Sequence, residues 1–322
     1  MKDPFFLPPV PWLTELVEPW AARLNLPTLP LHIHEVFYSA LLYTVIFWPI
    51  SPLVSNLLAG KHYTKLSRKK RLNWHAHVVS MVQSCLINSL AVWVIIVDDE
   101  RRQMEWQERV WGYTGSCAMI QAMAAGYFVW DLFVTSFNLD VFGIGTLMHA
   151  IAALLVYALG FRPLVNYYSS VFILWELSTP FLNVHWFMDK MDMTGSKAQL
   201  YNGFALLFSF FTARLLFGTW SSFCVMRDLW WAVQSPPNLT KLGAPSMGYA
   251  NSTTTVPLWM ACAYLASNIT LNSLNFYWFF KMVWAVRKRF EPLHEPVTEV
   301  EVDLSTMASG VADAGKPRRR KA

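Results

Sequence analysis

Long apolar stretches separated by short polar loops run along most of this chain, and several of them carry no charge. Residues 36–60, 111–130, 198–213 and 256–280 contain no Asp, Glu, Lys or Arg. A helix rising about 1.5 Å per residue needs roughly 20 residues to cross a hydrocarbon core. The pattern predicts seven spanning helices, at about 33–54, 74–97, 111–136, 143–161, 164–187, 199–220 and 256–280. The expected fold class is therefore all-α and polytopic. Residues 1–32 read as a proline-rich lead-in ("PFFLPPVPW"), ordered or grazing the membrane, without the basic start and small-residue cleavage site of a signal peptide. Residues 33–67 read as one extra helix with a basic loop, 68–290 as the main domain, and 291–322 as a polar, disordered tail.

Composition agrees. Hydrophobic residues make up 54% of the chain and charged residues 15%, against about a quarter charged in a soluble domain. The basic balance concentrates beside the spans, so it sets topology and does not indicate nucleic acid. Lys61, Lys65, Arg68, Lys69, Lys70 and Arg71 follow the first span, and Lys281, Arg287, Lys288 and Arg289 close the seventh. With seven crossings both groups fall on one side, which the positive-inside rule makes cytosolic. The N-terminus is then lumenal or external and the tail cytosolic. The sequons at Asn238 ("NLT") and Asn251 ("NST") fall in a loop on the lumenal side. Cys85, Cys117, Cys224 and Cys262 are scattered and form no C-x-x-C pair, which suggests neither a disulfide framework nor a zinc site.

Polar side chains inside the spans are the candidate chemistry, because they are costly in lipid. "WELSTPFLNVHWFMDK" places Glu176, Asn183 and His185 on the fifth span. Asp131 lies on the third, His149 on the fourth, and His77 and Gln83 on the second. Asn268, Asn272 and Asn275, spaced i, i+4, i+7, share one face of the seventh. Counting along each helix puts most of these at similar depth in the cytosolic half, which predicts an enclosed polar chamber there. Arg214 stands apart, on the lumenal side of mid-depth. Each residue also has a plain structural use, since an intramembrane Asn is often interhelical glue and a lone His can simply donate to a carbonyl. Asp131, His149 and Glu176 make the stronger set, as ionisable groups at related depth need one another. Pro180 should bend the fifth span and free the carbonyl of Glu176, with Asn183 or a nearby hydroxyl filling it and Glu176 facing inward. His32-x-His34 and His75-x-His77 fall short of the histidine clusters of di-iron lipid enzymes, so no metal is expected.

"WHAHVVSMVQS", "GYFVWDL", "LMHAIAAL" and "ELSTPFLNVHWFMDK", closing with "LNFYWFFK", resemble in order and spacing the TLC-domain family, over about residues 68–285. That family includes the ceramide synthases and several lipid-homeostasis proteins of the endoplasmic reticulum; the wording is most similar to the non-synthase branch in a fungal-type version. The resemblance implies six helices around a lipid-sized cavity, here preceded by one extra helix, in the endoplasmic reticulum membrane. Ceramide synthases carry paired histidines where this chain reads His149-Ala150. The family often has a histidine at Gln83 and an arginine at His77, whereas the aspartate at Asp131 is retained. These departures speak against sphingoid N-acylation.

Two functions stay open. In one, the chamber binds a membrane lipid without chemistry, through Glu176, Asn183, His185, His77, Gln83, Asn272 and Asn275, and the protein adjusts lipid homeostasis. In the other, it is an acyltransferase using acyl-CoA as co-substrate, with His149 as base or acyl acceptor and Asp131 orienting its imidazole. No bound cofactor is expected, and homo- or hetero-oligomerisation is left open.

Overall fold

A computed structural model describes residues 1–238 and 240–290, so the tail at 291–322 lies outside the described residues. Among these residues there are helices and no strands. The lead-in contains α1 (Pro11–Leu24), started by a proline in its first turn and stopped by Asn25 in the left-handed conformation (φ 53°). The first crossing is α2 (Leu29–Val45) followed by α3 (Ser51–Thr64), and extended backbone at Trp48 breaks the two apart just before Pro49. The crossing thus starts earlier and runs further than 33–54. α4 (Arg68–Val97) returns, and the short α5 (Asp99–Arg102) and α6 (Trp106–Trp111) lead into α7 (Gly115–Phe137) and α8 (Leu139–Leu159). α9 (Asn166–Phe172) and α10 (Thr179–Lys190) make the fifth crossing. α11 (Lys197–Phe210) and α12 (Gly218–Gln234), joined by a wide turn over Phe211–Phe217, make the sixth, and α13 (Leu258–Phe290) the seventh.

Five of these segments are long and apolar enough to cross a membrane: Leu29–Thr64, Arg68–Val97, Gly115–Phe137, Leu139–Leu159 and Lys197–Gln234. The fifth and seventh crossings are helical but fall outside that group. The fifth is interrupted, and the seventh carries Asn268, Asn272 and Asn275 among its apolar residues. The architecture is an all-α, polytopic membrane bundle.

α7 is its centre: 67% of its apolar window is buried, against 22% for the first crossing, which lies on the outside. The sequence explains this. The first half of α7 is rich in Ala, Gly and Ser, so neighbouring helices can approach closely there. At Gly126 a β-carbon would run into the carbonyl of Val36 and the side chain of Ser39, so only glycine lets α2 pack there. Large apolar side chains of the outer helices, such as Leu57, Leu58, Phe208 and Phe280, point outward.

The loops gather at two ends. One end holds the lead-in, residues 98–114, the α8–α9 turn and the 235–257 loop. There Thr28 N–H donates to the Phe161 carbonyl (3.2 Å), Val165 N–H to Val110 (2.7 Å) and Tyr113 N–H to Ser246 (2.8 Å). Asp98 is buried at this end. Burial alone would raise its carboxyl, but hydrogen bonds from the Ser116 hydroxyl, the Arg101 N–H and the terminal ammonium hold it below its usual range. The other end holds the basic 61–71 loop, with Lys69 on Asp140 (2.7 Å) and His62 on Asp192 (3.3 Å).

Candidate functional site

The interruption in the fifth crossing builds the site. Between α9 and α10 the chain tightens into a 3₁₀ stretch over Ile173–Ser178, whose i to i+3 bonding leaves carbonyls poorly used. Pro180 then sits in the first turn of α10, where a missing N–H costs nothing. The helix changes pitch just before Pro180, and its hydrogen bonding differs from the expectation. The Glu176 carbonyl accepts from Thr179 N–H within the 3₁₀ stretch. The carbonyl that turns outward is that of Trp175, and it accepts from Arg214 Nε at 2.7 Å.

Arg214 lies in the wide turn of the sixth crossing and is buried. Besides Trp175, its guanidinium donates to Ser178 Oγ (3.1 Å), Thr179 Oγ1 (3.0 Å) and Asn275 Oδ1 (3.1 Å). Glu176 Oε1 is its one carboxylate partner among the described residues, at 3.5 Å. Four neutral acceptors therefore fix the cation in place, and the carboxylate stands slightly off it. Arg214 was not expected at the site. Its signal was a cation inside an apolar span, but counting depth along a regular helix ignores the extra residue that a wide turn inserts.

Two adjoining cavities meet at this pair. The larger, about 870 Å³ of space partly open to the surroundings, runs from the α8–α9 turn at Gly160 and Leu164 to Glu176 and Arg214, between aromatic and aliphatic walls that include Phe128, Tyr157, Phe172 and Tyr264. The smaller, about 560 Å³ and also partly open, continues toward the basic end and is lined by Ser80, Tyr127, Asp131 and Trp278 among others. His149, Glu176 and Arg214 line both and form the wall between them. Of the residues expected to form a polar chamber, Asp131, His149 and Glu176 line the smaller cavity, whereas Asn183, His185, His77, Gln83, Asn272 and Asn275 do not.

Asp131, His149 and Glu176 come together on one cavity wall, but Asp131 does not orient His149 by a hydrogen bond. Its carboxylate accepts from Thr135 Oγ1 one turn along α7, at 3.3 Å. His149 packs edge-on against Phe128 (6.1 Å) and Trp278 (6.0 Å), and its buried Nδ1 has no hydrogen-bond partner among the described residues.

The other predicted residues do different things. Asn275 holds Arg214, as above. Asn272 and Asn268 both donate to Ser222 Oγ on α12 (3.0 Å each), so they join helices. His77 Nδ1 lies 2.7 Å from Asn183 Oδ1, Asn183 donates to Ser80 Oγ at 3.1 Å, and the His77 ring stacks on Trp186 at 4.0 Å. These contacts form a seam between α4 and α10. His185 is buried and faces α11 at Gly203. Gln83 is fully buried yet lines neither cavity.

The TLC-domain family model matches residues 73–284. An uncharacterized TLC domain-containing protein of Schizosaccharomyces pombe is 39% identical over 277 residues, covering 86% of each chain. Topoisomerase I damage affected protein 4 of Saccharomyces cerevisiae is 27% identical, over 81% of this chain and 86% of its own. Human TLC domain-containing protein 4 is 29% identical over 55% of this chain and 65% of its own. No solved structure matches the chain. The chain belongs to the TLC-domain family.

Proposed function

We propose that this protein binds a single membrane lipid inside the bundle and acts in lipid homeostasis in the endoplasmic reticulum membrane, with the basic end and the tail in the cytosol. The observation that supports this most is the wall formed by His149, Glu176 and Arg214 between two cavities. The larger space is mostly apolar with a few fixed polar groups, as small-ligand pockets are. A hydrocarbon chain suits its Phe128, Tyr157 and Phe172 walls. The charged pair offers a donor and an acceptor side by side, which suits a polar head carrying both, such as an amide or a hydroxyl. The clamped guanidinium would orient that head at little entropic cost.

The binding reading is favoured over acyl transfer by the bonding of His149. A catalytic imidazole needs a partner to fix its tautomer and raise its basicity. Here Asp131, the carboxylate expected to orient it, is engaged by Thr135, and the ring is held by aromatic edges.

Photoactivatable lipid analogues in living cells test the reading, with crosslinked peptides mapped on purified protein. Crosslinks should fall on the cavity residues around Phe128, Tyr157 and Phe172 and weaken in Glu176→Gln. Crosslinks confined to outward residues such as Leu57 and Phe208 would reject a bound lipid. Lipid profiles of a deletion strain carrying wild type or His149→Ala then report the cellular role. Orientation is tested by protease treatment of intact microsomes. The tail should be cut and the 238–251 loop protected, and cleavage of both from one side would reject the assignment.

A further inference from the structure

At the end of the bundle that carries the lead-in, away from the intramembrane cavities, three potential ligand residues converge. Glu35 Oε1 lies 2.6 Å from His32 Nδ1, and Asp3 Oδ2 lies 3.5 Å from the same nitrogen. One donor atom from each of Asp3, His32 and Glu35 falls within 4.8 Å of the others. His32 and Glu35 are one turn apart in α2 and so share a face. Asp3 is brought in by the lead-in, whose backbone is pinned where Gly115 N–H donates to the Met1 carbonyl at 3.0 Å. On the far side of the imidazole, His32 Nε2 lies 2.6 Å from the Tyr113 hydroxyl.

The cluster is short of positive charge. Glu35 is fully buried, and its second oxygen, Oε2, has no hydrogen-bond partner among the described residues. Among those residues, the ion-pair partners of Asp3 and Glu35 are only His32 and His34. Two carboxylates crowd one imidazole with no lysine or arginine paired to them among the described residues, so a proton has to be held between them unless a cation takes its place.

We propose that Asp3, His32 and Glu35 form a binding site for a divalent cation, best matched by zinc, which staples the lead-in to α2. One imidazole and two carboxylates make an N/O donor set suited to a borderline cation. Calcium would ask for about six to eight oxygens. The fourth position falls to water or to His34, whose Nε2 is 3.9 Å from Glu35 Oε1. Tyr113 takes the outer-sphere role, fixing the ring so that Nδ1 faces the ion. Donors at about 2.0–2.1 Å from a tetrahedral ion stand about 3.3 Å apart. Binding therefore opens the His32–Glu35 contact by several tenths of an ångström, and the proton they share leaves to solvent as the ion enters. The sequence-based expectation of no metal weighed His32-x-His34 by itself, and the carboxylate ligands come from outside that pair.

The test uses the full chain in lipid nanodiscs, stripped with chelator and reloaded with zinc chloride alone. Wild type should retain one zinc per chain through desalting, show a higher unfolding temperature when loaded, and give an absorption-edge spectrum of N/O donors with a single imidazole. Asp3→Asn, on the more exposed lead-in, and Glu35→Gln should each lose the zinc and the thermal shift. His62→Ala, which removes an exposed histidine at the opposite end, should keep both. The proposal fails if wild type holds no more zinc than the Asp3→Asn/Glu35→Gln double variant. It fails equally if Asp3→Asn keeps full zinc, or if His62→Ala loses it. Folding trouble in Glu35→Gln would leave Asp3→Asn to decide.

Discussion

Two polar regions of this bundle have similar residues and opposite uses. The seam between α4 and α10 and the wall between the cavities each combine a histidine with a polar partner inside the bundle. In the seam, His77 meets Asn183 at 2.7 Å, Asn183 reaches Ser80, and Trp186 covers the ring. Neither His77 nor Asn183 lines a cavity. In the wall, His149 and Glu176 border empty space on both sides, the Nδ1 of His149 is unpartnered among the described residues, and Glu176 stands 3.5 Å from its cation. Both place a histidine inside the bundle; what differs is that the seam is neutral and packed, whereas the wall carries a charged pair and lines two cavities. Polar groups that have found one another hold helices together, and polar groups facing a cavity remain free for a ligand.

The largest expected effect separates the ion pair from everything else. Arg214→Met leaves the half-buried Glu176 without a cation and strands the carbonyl of Trp175 and the amide of Asn275. Breaking a buried pair in this way costs about 3–5 kcal/mol, which should appear as a steep loss of folded protein in thermal unfolding in nanodiscs. Glu176→Gln/Arg214→Met removes both charges and should recover part of the loss, because the two positions are coupled. If the double variant is no more stable than Arg214→Met, the loss comes from the neutral contacts and the pair adds nothing.

A smaller effect is expected in the seam. Asn183→Ala deprives His77 and Ser80 of a partner at once, a loss of about 1 kcal/mol. Bound lipid, measured by extraction and mass spectrometry of the purified protein, should be unchanged per folded molecule. Reduced lipid at unchanged fold would move Asn183 from the seam to the site and erase the contrast between the two regions.

Much of this was readable in the chain. Charge-free runs gave the helices, and the basic residues after Thr64 and near the end of α13 showed which loops share an end. Counting residues from the helix ends was enough to bring Asp131, His149 and Glu176 to one level. Counting fails where the backbone departs from 3.6 residues per turn. The 3₁₀ stretch before Pro180 offers the Trp175 carbonyl to Arg214, while that of Glu176 stays bonded to Thr179 N–H. The wide turn at Phe211–Phe217 carries Arg214 to the level of Glu176. Rotation about the helix axis is equally hard to read from one sequence. Asn272 and Asn275 share a face, yet one ties α12 to α13 and the other holds Arg214. Gln83 is deeply buried without reaching a cavity, because depth says nothing about which neighbour a side chain meets.

The smallest expected change in stability is the one that tests the wall most directly. His149→Leu removes a ring whose buried Nδ1 has no hydrogen-bond partner among the described residues, so little bonding is lost. An apolar side chain of similar bulk keeps the packing against Phe128 and Trp278, and the stability change should stay within about 1 kcal/mol. Desolvation of an unused polar atom is relieved at the same time, so the sign could favour the variant. The effect on bound lipid runs the other way. Between two cavities the imidazole offers a donor and an acceptor beside Glu176 and Arg214, and leucine offers neither, so lipid retained through purification should fall although the fold is intact. Asn183→Ala and His149→Leu then form a crossed pair, one losing stability and keeping lipid, the other losing lipid and keeping stability. If His149→Leu unfolds the protein like a broken seam, the histidine is used for packing or for an interhelical bond, and the wall is structural after all.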